Sequence, residues 1–152
     1  MTYEFRTPFP DDHFVSQYIR YAAGRTDAAH EYHEAAALVL LAAATPGVRA
    51  ELRQFPRGLP TLLYVLILGK SSVSRKSTVL SIAKEVLDLS IPGARLADHF
   101  SPEAFAEQMA QRARDSAAWV VDEFGEELHK IEHRQYMGGM RQALLEAYGG
   151  ES

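Results

Sequence analysis

The stretch LLYVLILGKSSVSRKSTVL, Leu62–Leu80, decides how the rest of the chain is read. Leu62 to Leu68 are seven continuous apolar residues with Val, Ile and Tyr among them, the pattern of a central strand buried on both faces, as in a parallel sheet. The period then changes. Val79, Leu80, Ala83, Val86 and Leu87 follow the three-four spacing of an amphipathic helix that ends before Pro92-Gly93. Between the two lies a short polar loop that closes in Lys76-Ser77-Thr78 as the helix begins. Free amides and the positive end of a helix dipole favour an anion at such a place. Lys76 adds a full charge that can reach outer phosphates, and the Ser77 hydroxyl stands where a magnesium ligand would. Gly69, Ser71, Ser72, Val73, Ser74, Arg75, Lys76, Ser77 and Thr78 therefore form the candidate nucleotide-binding set.

The ordinary phosphate loop reads GxxxxGK[ST], and this loop departs from it. Gly69 lies seven positions before Lys76 rather than six, and Arg75 occupies the place of the glycine before the lysine. A positive φ at Arg75, the conformation glycine supplies there, costs about 1 kcal/mol or more.

A second element supports the first. In AWVVDEF, Ala118–Phe124, four apolar residues deliver two adjacent carboxylates, Asp122 coming 46 residues after Lys76. In open α/β sheets ligands sit beyond the carboxyl ends of strands, where both the loop and this acidic pair would lie. Asp122 is the candidate magnesium holder, through water, and Glu123 the candidate base for the attacking water; with Lys76, Glu123 completes the catalytic assignment.

Outward from these two places the chain alternates. Asp11–Ala23 reads as a short helix capped by Asp11 or Asp12 and ended by Gly24. Asp27 to about Ala44 reads as a second, with Asp27 as cap and Pro46-Gly47 as stop. Its AAALVLLAAA half is apolar on all sides, as a buried helix is. Val48–Phe55 alternates weakly, as an edge strand would. Ser101-Pro102-Glu103 opens a further helix with a cap, a proline and an acid in order. Ala117–Val121 reads as a short buried strand, and Glu126–Tyr148 as a helical tail broken at Gly138-Gly139. The expected fold is an α/β phosphate-loop core with a parallel sheet flanked by helices, residues 48–152, preceded by an α-helical segment, residues 1–47.

Composition is consistent with this and excludes other classes. The chain has 152 residues, 47% hydrophobic and 24% charged, with no cysteine, so no disulfide scaffold, thiol nucleophile or thiolate metal site is available. The longest strongly apolar stretch, Ala35–Ala44, falls short of the roughly 20 residues of a membrane span. MTYEFRTPFPDD lacks the basic start and apolar run of a signal peptide, so a soluble cytoplasmic protein is expected. Residues 1–76 carry a net +2 and residues 77–152 a net −6, without the basic excess of a dedicated nucleic-acid binder.

The chain resembles a widespread phosphate-loop NTPase family of unknown function found in bacterial, phage and plasmid proteins beside primase modules and superfamily 3-like helicases. The matching residues are 26–44, 62–78, 95–109, 120–128 and 144–152, and the likeness extends to SRKST in place of GKST. It implies ATP and Mg2+ as cofactors, Lys76 as phosphate contact, Ser77 and Asp122 on magnesium and Glu123 as acid-base. It also implies Mg-dependent hydrolysis coupled to replication of a mobile element, with DNA or further copies of the chain as partners. Ring-forming motors of this kind use about five parallel strands, so residues 48–152 read as the front part of such a core. The rival reading is a nucleotide-binding or oligomerisation module without turnover, which the missing glycines favour. A small-molecule kinase, sharing the loop, is a third.

Other residues carry blander readings. His30 and His33, and His129 and His133, have zinc-compatible spacing but no third ligand, and read as structural. Asp98-His99 reads as a turn, and Trp119 as core. Arg112 and Arg114 suit a helix C-terminus better than an arginine finger. Glu126, Glu127, Glu132 and Glu146 read as a solvated face.

Overall fold

The structure, a computed structural model, describes residues 6–70, 73–112 and 115–149. Helix α1 (Phe14–Ala23) turns at Gly24 into helix α2 (His30–Ala44). A hairpin of strands β1 (Arg49–Leu52) and β2 (Phe55–Pro60) follows, then segment 61–70, without regular secondary structure, and helix α3 (Lys76–Ser90). Helices α4 (Pro102–Gln111), α5 (Phe124–His133) and α6 (Met140–Gly149) complete the order, with one 3-10 turn, Gln135–Met137, at the break before Gly138-Gly139.

The parallel sheet expected from Leu62–Leu68 and Ala117–Val121 does not form among the described residues. The one sheet there is the antiparallel hairpin, with Arg49 opposite Pro60, Ala50 opposite Leu59 and Leu52 opposite Phe55. It splits the weakly alternating Val48–Phe55 at the turn Arg53-Gln54. The fold is predominantly helical, and an α/β phosphate-loop core is not what this chain builds. The physical reason is that apolar side chains record a tendency to be buried, whereas a strand also needs a hydrogen-bonding neighbour, which is supplied non-locally. Leu62–Leu68 belongs to no strand, and Leu66 and Leu68 are 59% and 74% exposed. Its attachments are individual: Thr61 Oγ1 donates to the Thr45 carbonyl at 2.9 Å, Tyr64 Oη to the Leu144 carbonyl at 2.7 Å and Tyr32 Oη to the Leu68 carbonyl at 2.9 Å. Ala118 makes a single parallel bridge to Arg95, through Leu96 N–H to the Ala118 carbonyl and Ala118 N–H to the Ala94 carbonyl, each 2.9 Å.

The helices follow their apolar periodicity. In α2 every residue from Tyr32 to Ala43 is at least half-buried, as an all-round apolar helix requires. Its inner residues Ala36, Ala37, Leu40 and Ala43 share one core with Val15, Tyr18, Ile19 and Ala22 of α1, Val79, Ile82, Ala83 and Leu87 of α3, and Ala118 and Val120. A second core gathers Leu96, Phe105, Met137 and Met140. Trp119 lies beside it, half-buried among the rings of Phe100, Phe105 and Phe124. Two caps differ from expectation. His13, not Asp11 or Asp12, caps α1 by accepting Val15 N–H at its Nδ1 (3.2 Å), and α2 begins at Ala29 without a side-chain cap, leaving Asp27 outside the helix. Ser101 caps α4 as read, accepting Ala104 N–H at 3.2 Å. No helix among the described residues is long and apolar enough to cross a membrane.

One side chain in the α1–α2–α3 core is poorly matched to it. His33 is fully buried with neither ring nitrogen hydrogen-bonded, and burial, assisted by His30, pushes its pKa below the usual 6.5. The folded state thus holds His33 neutral while the unfolded chain protonates near 6.5, so its contribution is intact above that pH and is lost as pH falls below it. Replacing it removes two unpartnered polar atoms from the core. We expect His33→Leu to raise the unfolding free energy at pH 7 by about 1 kcal/mol and to shrink the loss of stability between pH 7 and 5, as read by urea melts at both pH values.

Candidate functional site

The loop lies between segment 61–70 and α3. Lys76 opens α3, so the amides of the first turn have no intrahelical acceptor. Directly before it, Arg75 is left-handed, φ 53° and ψ 25°. The turn is tight at its base. A Cβ on Gly69 would come within 2.6 Å of the Tyr32 hydroxyl and 2.7 Å of Ser74 Oγ. Ser74 is itself folded back, donating its amide (3.3 Å) and hydroxyl (2.8 Å) to the Lys70 carbonyl. Lys76 Nζ donates to the Gly69 carbonyl at 2.7 Å, and Arg75 Nε lies 3.1 Å from Asp27 Oδ1. Val73, Ser77 and Thr78 are exposed around this turn, while Ser71 and Ser72 lie outside the described residues. Tyr32 and Asp27, absent from the reading of the loop, both contact it, and nothing in the sequence placed either of them there.

Asp122 and Glu123 end the 118–121 segment as expected, both exposed. Glu123 is left-handed, φ 56°, and precedes α5, with its amide donated to Asp122 Oδ1 at 3.0 Å. Together with Asp98, His99, Val121, Glu126 and Glu127 they line a cavity of about 260 Å³. None of the described residues of Gly69–Thr78 is among those lining this cavity. Asp98-His99, read as a turn, thus belongs to the acidic pocket. Asp98 Oδ2 is held by Lys84 Nζ at 2.9 Å.

Glu127 corrects the reading of a solvated acidic face. It is 2% exposed, and its Oε1 receives Lys130 Nζ at 2.6 Å and His99 Nδ1 at 2.7 Å. Burial alone would raise its pKa, but the hydrogen bonds from Lys130 and His99 outweigh this and hold it below the usual carboxylate value of 4.5. An ionised Glu127 fixes His99 Nδ1 as the donor, which leaves Nε2 as the acceptor of the neutral ring. The side chains of Glu126, Glu132 and Glu146 are exposed, as read.

Of the histidine pairs, His33 is buried and His30, His129 and His133 are exposed, with His133 Nδ1 3.0 Å from the His129 carbonyl and the two rings stacked. Among the described residues no group of three or more His, Asp or Glu could hold a metal ion by itself. Arg112 caps the end of α4 beside Gln108, and Arg114 lies outside the described residues.

Two substitutions test this geometry. Gly69→Ala forces a Cβ against Tyr32 and Ser74 and is expected to cost about 1–3 kcal/mol as overpacking, whereas Gly69→Ala in a Tyr32→Phe/Ser74→Gly background recovers most of it in thermal melts. Glu127→Gln leaves the Lys130 ammonium and the His99 N–H facing a neutral amide and is expected to cost about 2 kcal/mol at pH 7. Because the native pKa of Glu127 is depressed, its contribution is present above about pH 4.5 and fades as pH falls through the lower native value, so the mutant and wild-type stabilities converge in acid. The chain matches no family model, no curated protein and no solved structure.

Proposed function

We propose that this chain is a nucleotide-binding module that takes ATP with Mg2+ at the Gly69–Thr78 loop, acts in the cytoplasm and binds without necessarily turning over. The observation that carries the reading is Arg75, left-handed directly before Lys76. A left-handed residue followed by a helix start aims successive amides into one concavity, the arrangement that receives phosphate oxygens. Lys76 Nζ already lies across the loop on the Gly69 carbonyl. A phosphate oxygen is a stronger acceptor for that ammonium than a neutral carbonyl. The donor set therefore fits a polyphosphate.

The fit to Mg2+ is narrower. Magnesium is commonly held by one or two protein oxygens together with substrate phosphates, so Ser77, exposed in the first turn of α3, suffices as the protein ligand. Bound there, the ion would neutralise phosphate charge. Asp122 and Glu123 line the acidic pocket, to whose lining none of the described loop residues contributes, and this favours binding over hydrolysis. A role beside a replication helicase or primase, with DNA or another copy as partner, rests on the sequence resemblance.

Titration of a fluorescent ATP analogue with Mg2+ tests the site. Saturable binding weakened at least tenfold by Lys76→Ala is expected, about 1.4 kcal/mol or more. No binding at millimolar nucleotide, or equal binding by the variant, would remove the assignment. Phosphate release, with and without single-stranded DNA, separates a motor from a binding module; release above background that Glu123→Gln abolishes would favour the motor.

A further inference from the structure

Two cations of the loop, Arg75 and Lys76, are held by oxygen atoms of the chain itself, and one of these atoms belongs to a distant carboxylate. Asp27 lies 48 residues before Arg75, in the linker between α1 and α2, and its Oδ1 meets Arg75 Nε at 3.1 Å. It is not engaged as a helix cap, since α2 starts at Ala29 without one. The neighbouring residues of the linker are anchored independently: Arg25 Nη2 contacts Glu85 Oε2 of α3 at 2.8 Å, and Ala28 is buried in the main core. The linker is thus held against α3 with or without Asp27, which leaves the Asp27 carboxylate free to act on charge alone.

We propose that Asp27 is an intramolecular competitor for phosphate: it holds the Arg75 guanidinium, and a bound polyphosphate draws Arg75 away from it. The inference rests on the phosphate-site reading of the loop. The side chains of Arg75 and Asp27 are 54% and 78% exposed, so their pairing is weak and easily exchanged. A triphosphate presents several charges and many acceptor oxygens against one carboxylate, and a guanidinium binds phosphate through paired donors. Arg75 then does what glycine in its place cannot, adding a second cation beside Lys76. Asp27 sets how much ligand charge is needed to recruit it, which favours triphosphate over diphosphate.

The test titrates MgATP, MgADP and magnesium triphosphate into the wild type, Asp27→Asn, Arg75→Gln, the double variant and Lys76→Ala, with Asp27→Glu as the conservative control. Asp27→Asn is expected to bind MgATP about two- to fivefold more tightly, the range an exposed ion pair allows, and to gain more for MgADP than for MgATP. Arg75→Gln binds more weakly and removes the gain from Asp27→Asn, while Asp27→Glu stays near wild type. A gain that persists in the Arg75→Gln background is a general charge effect and overturns the proposal, as does unchanged or weaker binding by Asp27→Asn. If the wild type binds none of the three ligands, or Lys76→Ala binds as well as wild type, the phosphate site itself falls and this inference falls with it; a failure of the Asp27 series with Lys76→Ala still impaired overturns the competitor alone.

Discussion

The burial of one face of α3 against α1 and α2 is the contact on which the rest of this structure depends. Val79, Ile82, Ala83 and Leu87 are buried on one side of the helix, in the core that α2 supplies with alanines and Leu40. Truncating a buried leucine of this kind costs about 2–5 kcal/mol, a large share of a small domain's stability. The same contact fixes where Lys76 and Ser77 stand, because the loop is the beginning of the helix. Tyr32, one turn into α2, then reaches the Leu68 carbonyl and closes the loop from the other side. Loop and core are therefore joined: the helix that carries Lys76 and Ser77 is the one packed against α2, and α2 also reaches the loop through Tyr32.

The parts of this arrangement readable in the sequence are those determined locally. Ser101-Pro102-Glu103 announces α4 because cap, proline and acid each satisfy a requirement of the first turn. Val79, Ala83 and Leu87 announce the inner face of α3 by spacing alone. The left-handed Arg75 was not settled by sequence, because the additional residue between Gly69 and Lys76 could have reshaped the loop and removed the need for it. The sheet was not readable. LLYVLIL has the composition of a buried strand, but a strand is defined by its neighbours, and here Arg95 and Ala118 spend their one bridge on each other. Glu127 failed for a related reason: Glu126 beside it is exposed, and only the fold, by bringing His99 and Lys130 to one oxygen, tells the two apart.

The exposed apolar segment and the acidic pocket show opposite ways of handling an awkward group. Leu66 and Leu68 remain largely in water, and the stretch is flanked by Gly69-Lys70, whose charge opposes edge-to-edge pairing. Glu127 goes the other way, out of water, where the desolvation cost is offset by two cationic or donor partners at under 3 Å. The first arrangement is tolerated because exposed apolar side chains are individually cheap; the second requires its full set of partners, because an unpaired buried carboxylate is not.

The backbone itself supplies the last link between the loop and the acidic pocket. Among the described residues, Arg75 and Glu123 are the two non-glycine positions with positive φ, and each stands immediately before a helix, α3 and α5. Such a conformation costs on the order of 1 kcal/mol for a residue with a Cβ, and glycine would remove the cost at either place. Neither position has glycine. At Arg75 the side chain gains the contact to Asp27, but an exposed pair contributes too little to offset the strain. At Glu123 the compensation is a single amide bond to Asp122, which glycine would make equally well. Folding stability therefore does not account for either residue. What each adds is a charged group held at the mouth of a helix, a cation before α3 and an anion before α5.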